Sequence, residues 1–157
     1  DPYLAVEKVV NLDVELVSKD DLLARSDYIL MQAPMTPETH HFLSDAEFSA
    51  MKPGAILVNT GRGPTIDNKA LYQALTKGHL AAAGLDDPEE EPAKRSNWSP
   101  KDNQIFTLPN VLVTPHAAYY SEESIHAARV TAATQVAKVL TGQEPDYTVN
   151  AKALAKT

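Results

Sequence analysis

Residues 56–65 read ILVNTGRGPT. With Ala55 the apolar run Ile56 to Asn59 has the composition of a buried strand, and it stops at a Gly-Arg-Gly step. Short apolar runs bounded by turn residues are the mark of strands buried on both faces, as in parallel sheets. A lone arginine between two glycines at the end of such a strand places a guanidinium where backbone and ligand can approach closely. Whether that placement serves a fold or a site depends on what lies on either side.

Upstream, Ser18 followed by Asp21 predicts a capped helix over Lys19 to Arg25, and YILMQ, Tyr28 to Gln32, predicts a strand that Pro34 ends. Val14 to Val17 is a further strand expectation. Ser44 and Glu47 form a capping-box pattern opening a helix that Lys52-Pro53-Gly54 closes, directly before the strand Ala55 to Asn59. Downstream, Asp67 predicts a helix cap for an apolar face of Ala70, Leu71, Ala74 and Leu75, with Lys77-Gly78 at its end. Leu80 to Leu85 and Val111 to Val113 read as strands separated by a proline-punctuated loop from Pro88 to Pro109. Ser121 caps the longest predicted helix, carrying Ile125, Ala128, Ala132, Val136 and Val139 at helical spacing and stopped by Gly142. Strands alternating with helices over short connections predict an α/β fold: a Rossmann-like, doubly wound parallel sheet covered on both faces.

The totals narrow the function. The chain has 157 residues, 21 Asp and Glu against 14 Lys and Arg, a net charge of -7, and no cysteine. Disulfides and thiolate chemistry are thereby excluded. An acidic chain with no basic cluster longer than two residues is not built for nucleic acid or an anionic membrane. No apolar stretch approaches the roughly 20 residues that cross a bilayer. A cytoplasmic location is the expectation.

In open parallel sheets, functional residues gather at the carboxyl ends of the strands. Three places qualify: Gly61-Arg62-Gly63, the acidic GLDDPEEEP segment holding Asp86 and Glu91, and Pro115-His116. An arginine can clamp a carboxylate through two parallel hydrogen bonds, a histidine can move a proton near neutral pH, and a carboxylate can orient that histidine. Each has a plainer reading as a surface arginine, a solvated acidic loop or an idle histidine. His40 and His41 are adjacent, but no metal site is expected from them, and His79 and His126 are expected on solvated faces. Trp98 is expected in interface packing.

The stretches MTPETHHFLS, MKPGAILVNTGRGPTID, AAAGLDDPEEEP and LPNVLVTPHAAYYSEES, in this order, resemble the D-isomer-specific 2-hydroxyacid dehydrogenases over nearly the whole chain. The resemblance implies an oxidoreductase that moves a hydride between NAD(H) and a small D-2-hydroxyacid or 2-oxoacid. It implies that Arg62 holds the substrate carboxylate, that His116 is the acid/base, and that Glu91 pairs with His116 and raises its pKa. It also implies cofactor contacts from Asp1 to the adenosine ribose, favouring NAD over NADP, and from Thr60, Gly61, Asp86, Ala117 and Ala118 around the nicotinamide. The glycine fingerprint G-x-G-x-x-G occurs nowhere in the chain. The expectation is therefore a partial NAD-binding domain over 1–142, lacking its first strands and glycine turn, and a tail over 143–157 that returns toward a substrate domain. The edges of Val14 to Val17 and Tyr28 to Gln32 would then be open, and the parent would be a longer protein that forms a homodimer. Other readings are a regulatory, corepressor-like NAD-binding module, implied by relatives, and an inactive fragment, which the missing glycine turn supports.

Overall fold

The computed structural model describes residues 4, 6–89, 96, 97 and 99–151. The chain divides into two compact units, Asp1–Ala118 and Tyr119–Thr157. The first is an α/β unit built on four parallel strands, β1 (Tyr28–Met31), β2 (Ala55–Asn59), β3 (Leu80–Leu85) and β4 (Val111–Val113), side by side in chain order. Its helices are α1 (Lys19–Arg25), α2 (Asp45–Ala50) and α3 (Asn68–Thr76).

The capping chemistry read from the sequence sets these helices. The Ser18 hydroxyl accepts from Asp21 N–H at 3.1 Å, and Asp67 accepts from Lys69 and Ala70 N–H at 2.8 and 3.2 Å. At α2 the Glu47 carboxylate reaches back to both the N–H and the hydroxyl of Ser44, at 3.1 and 2.8 Å, and also takes Lys19 Nζ at 2.8 Å. Burial by itself would raise the Glu47 carboxyl, but the Lys19 and Ser44 hydrogen bonds outweigh it and bring it down to about 2.

The register aligns Ile29 with Leu57, Ala83 and Val111, and Met31 with Asn59, Leu85 and Val113. Because side chains alternate along a strand, these rows share one face. That face joins Leu23, Phe48, Met51, Leu71 and Leu75 of the helical layer in one apolar core. The opposite rows, Tyr28 with Ile56 and Ala82, and Leu30 with Val58, Gly84 and Leu112, leave Tyr28, Leu30 and Leu112 at 69, 63 and 69% exposure.

The parallel α/β sheet is the Rossmann-like arrangement expected from the sequence. Two expectations are corrected. Val14 to Val17 forms no strand, since no described segment pairs with it, and Val14 and Leu16 are exposed. A strand's backbone groups need a neighbour, and apolar composition alone does not supply one. The Tyr28 strand stops at Met31, one residue early, so Gln32 belongs to the connection that follows.

The second unit is dominated by α4 (Glu122–Leu140), capped by the Ser121 hydroxyl accepting from Ser124 N–H at 3.1 Å. Gly142, at φ +73°, reverses the chain after it. Asp146 then folds back on the helix, with Gln135 Nε2 and Lys138 Nζ donating to its carboxylate at 3.0 and 2.5 Å. Among the described residues, no helix is long and apolar enough to cross a membrane.

Candidate functional site

The turn after β2 is held by the last residue of the strand. Asn59 is 2% exposed; its Oδ1 accepts from Gly61 N–H at 2.9 Å and its Nδ2 donates to the Arg62 carbonyl at 3.1 Å. The buried Thr65 hydroxyl donates to the same carbonyl at 2.6 Å. Both oxygen lone pairs of the Arg62 main chain are thus engaged from inside, and its side chain projects outward, exposed, with Nη1 donating to the Gly61 carbonyl at 3.1 Å.

Neither flanking glycine lies in the left-handed region. Their requirement is space. A Cβ on Gly63 would stand 2.4 Å from Glu89 N and Pro88 C and 2.6 Å from Asp87 O. A Cβ on Gly61 would meet the Ala33 and Met31 carbonyls and Asn59 Oδ1, each at 3.3 Å. The β2 turn therefore lies directly on the backbone that follows β3.

That backbone carries Asp86, Asp87 and Glu89. Asp86, 4% exposed, donates its N–H to the Asn59 carbonyl at 2.9 Å and accepts His116 N–H at 2.9 Å, joining the ends of β2, β3 and the segment after β4. His116 sits at φ +52°, an unusual backbone conformation for a residue with a side chain. This turns the next two N–H groups toward Asp86, whose carboxylate accepts Ala117 at 2.8 Å, Ala118 at 2.9 Å and the Thr114 hydroxyl. Burial alone would raise the Asp86 carboxyl. The Thr114, Ala118 and Ala117 hydrogen bonds, with the charge of His116, hold it instead below its ordinary value. Asp87, 6% exposed, places Oδ1 4.0 Å from His116 Nδ1.

The predicted residues fall as follows. Thr60, Gly61, Arg62, Asp86, His116, Ala117 and Ala118 lie together at the carboxyl ends of the parallel strands, with Thr60 Oγ1 accepting from Gln32 Nε2 at 2.6 Å. Asp1, Glu91 and Trp98 lie outside the described residues. Asn59, Asp87 and Thr114 are contributors that the sequence reading missed. Asn59 had a signal, a polar residue ending an apolar strand. Asp87 had none, because its partner lies 29 residues away. His79 is corrected: it is half-buried, with Nε2 3.1 Å from the Met51 carbonyl.

The chain matches the family described as D-isomer specific 2-hydroxyacid dehydrogenase, NAD binding domain, over residues 1–118, the span of the first compact unit. It is 43% identical over 151 residues to a D-3-phosphoglycerate dehydrogenase of Methanocaldococcus jannaschii, covering 96% of this chain and 28% of that protein. It is 40% identical over 139 residues to a glyoxylate reductase of Korarchaeum cryptofilum, covering 88% of this chain and 40% of that one. Among solved structures, the TT0316 protein of Thermus thermophilus superimposes with a TM-score of 0.79 at 37% identity, over 88% of this chain and 42% of its own. D-lactate dehydrogenase of Aquifex aeolicus, complexed with NAD and lactic acid, superimposes at 0.73 with 36% identity, over 80 and 40%. The chain thus spans well under half the length of each of these relatives.

Proposed function

The chain belongs to the D-isomer specific 2-hydroxyacid dehydrogenases, within their NAD binding domain, and on that premise we propose that it supplies the hydride-transfer face of an NAD-dependent 2-hydroxyacid dehydrogenase. The observation that carries this reading is the Asp86–Glu89 segment, which receives Gly63 of the arginine turn on one side and His116 on the other. The main chains that carry Arg62 and His116 both rest on the segment that follows β3, which supports a shared site.

The small residues Thr60, Gly61, Ala117 and Ala118 at these ends suit a flat ring, so the site fits the nicotinamide part of the cofactor. The cofactor, when bound, supplies or accepts the hydride at C2 of the substrate. Arg62 holds the 2-oxoacid carboxylate through paired N–H groups and draws charge from the adjacent carbonyl. His116, as imidazolium, gives its proton to the carbonyl oxygen as C2 gains the hydride; in the reverse direction it removes the hydroxyl proton. Asp87, whose Oδ1 stands 4.0 Å from His116 Nδ1, and Glu91 by family resemblance, orient the imidazole. Glyoxylate, hydroxypyruvate, pyruvate and a phosphorylated hydroxyacid all present the carboxylate that Arg62 requires, and a homodimer of cytoplasmic subunits is the assembly in which we place it.

The test is NADH oxidation by the protein as its source produces it, across that panel of 2-oxoacids. His116→Asn, which tolerates the left-handed backbone, should lower kcat by about 10²- to 10⁴-fold. Arg62→Gln should lower kcat/KM by about 10- to 100-fold, mostly through KM, as expected for a lost charge-assisted pair. No turnover with any 2-oxoacid would overturn the reading.

A further inference from the structure

The turn between β1 and α2 carries two adjacent histidines, and the fold supplies the third donor that the sequence did not. We propose that His40, His41 and Glu89 form a divalent transition-metal site of the zinc class, with Asp67 supporting His41 from behind. One potential ligand atom from each of the three residues lies within 4.8 Å of the others.

The site is built on fixed backbone. The turn is closed by the Thr36 N–H donating to Thr39 Oγ1 at 2.7 Å and His40 N–H donating to the Thr36 carbonyl at 3.0 Å. It is then stitched to the segment before α3 by His41 N–H to the Pro64 carbonyl at 2.8 Å and Leu43 N–H to the Thr65 carbonyl at 3.1 Å. His41 holds φ +48°, a conformation that costs free energy and is retained where surroundings impose it. The two imidazoles stack with centroids 4.0 Å apart and planes at 28°.

Glu89 arrives from the segment after β3, where Asn68 N–H donates to Oε2 at 3.3 Å and the Asn68 and Asn103 amides donate to its carbonyl at 3.3 and 3.4 Å. Its Oε1 lies 2.8 Å from His41 Nε2. Two donors on one tetrahedral zinc ion stand about 3.3 Å apart, given bonds of about 2.0–2.1 Å. The His41–Glu89 pair therefore needs to open by only a fraction of an ångström, and exposed His40 is free to swing in. On the far side of the ring, Asp67 Oδ2 stands 3.8 Å from His41 Nδ1. That is longer than a hydrogen bond; closed to one, a carboxylate behind a ligating imidazole fixes its tautomer and strengthens it as a donor. The charges also balance: two neutral imidazoles, one ligating carboxylate and one supporting carboxylate meet a dication. Two nitrogens and one oxygen favour Zn²⁺ or Co²⁺ over Mg²⁺ and Ca²⁺, which prefer all-oxygen shells.

The alternative is a plain His41–Glu89 contact with His40 idle, and the experiment separates the two. Zn²⁺ is titrated into tag-free protein by calorimetry, with Mg²⁺ in a parallel run. The expected result is saturable binding of one Zn²⁺ per chain and none of Mg²⁺. Asp67→Asn keeps a good helix cap but loses the charge, and should weaken binding about 10- to 100-fold. His40→Ala touches no backbone constraint and should weaken it beyond that range while leaving the metal-free melting temperature unchanged; His79→Ala and His126→Ala should leave Zn²⁺ affinity unchanged. Absence of saturable binding at millimolar Zn²⁺, or binding that survives His40→Ala undiminished, overturns the proposal.

Discussion

Gly63 shows how one missing methyl group can hold a site together. Its Cβ would fall 2.4 Å from two backbone atoms of the Pro88–Glu89 link, which cannot rotate aside as a side chain could. Gly63→Ala should therefore destabilise the protein by about 1–3 kcal/mol, the usual cost of overpacking, and lower kcat/KM as the Asp86–Glu89 segment shifts away from His116. Gly54 makes the contrasting case. It has open space around it but stands at φ +84°, so Gly54→Ala should cost about 1–2 kcal/mol by strain alone and leave kcat/KM unchanged. Denaturant unfolding together with kinetics on both variants separates the two causes. Equal losses of activity would show that the β2 turn does not act through its contact with the next segment. A Gly-Arg-Gly step in sequence points to close approach of a ligand; the approach at Gly63 is to the protein's own backbone.

At the level of elements, the helices were legible because caps are local. Ser18, Ser44, Asp67 and Ser121 announce helix starts within three residues, and the structure places a helix after each. Strands were legible where a neighbour exists and failed at Val14–Val17, where pairing, a non-local property, is absent among the described residues. In sequence Glu89 is one member of an acidic loop, because its link to His41 spans 48 residues. Two predictions test the elements. The α2 cap should make stability fall with acid: the folded Glu47 carboxyl, lowered from 4.5 to about 2, contributes stability that is fully present above about pH 4.5 and is lost as pH falls toward 2. That difference is worth up to about 3 kcal/mol, so Glu47→Gln should flatten this part of the stability profile, and an unchanged acid limb would show the cap to be inert. The sheet faces should differ as well. Leu57, 0% exposed, should cost about 2–5 kcal/mol on truncation to Ala, whereas Leu30, 63% exposed on the opposite face, should cost under about 1 kcal/mol. Equal costs measured by urea unfolding would mean that the Leu30 face is packed in solution.

For the whole molecule, the match over residues 1–118 is to an NAD binding domain. The adenosine and pyrophosphate of such a cofactor depend on a glycine turn at a helix N-terminus, where backbone N–H groups and the helix dipole meet the phosphates. No G-x-G-x-x-G occurs in the 157 residues. Around Arg62 and His116, four main-chain N–H donors are committed within the protein: Gly61 to Asn59, His116 to the Asp86 carbonyl, and Ala117 and Ala118 to the Asp86 carboxylate. Loss of the phosphate contacts removes several charge-assisted hydrogen bonds of about 1.5–3 kcal/mol each, and every 1.4 kcal/mol is tenfold in affinity. A micromolar cofactor site would thus fall to the millimolar range or weaker. Calorimetry of NAD against the isolated 157-residue chain should show no saturation below millimolar cofactor. Micromolar, one-to-one binding by a monodisperse chain would mean that the strand ends described here recognise the dinucleotide without a glycine turn.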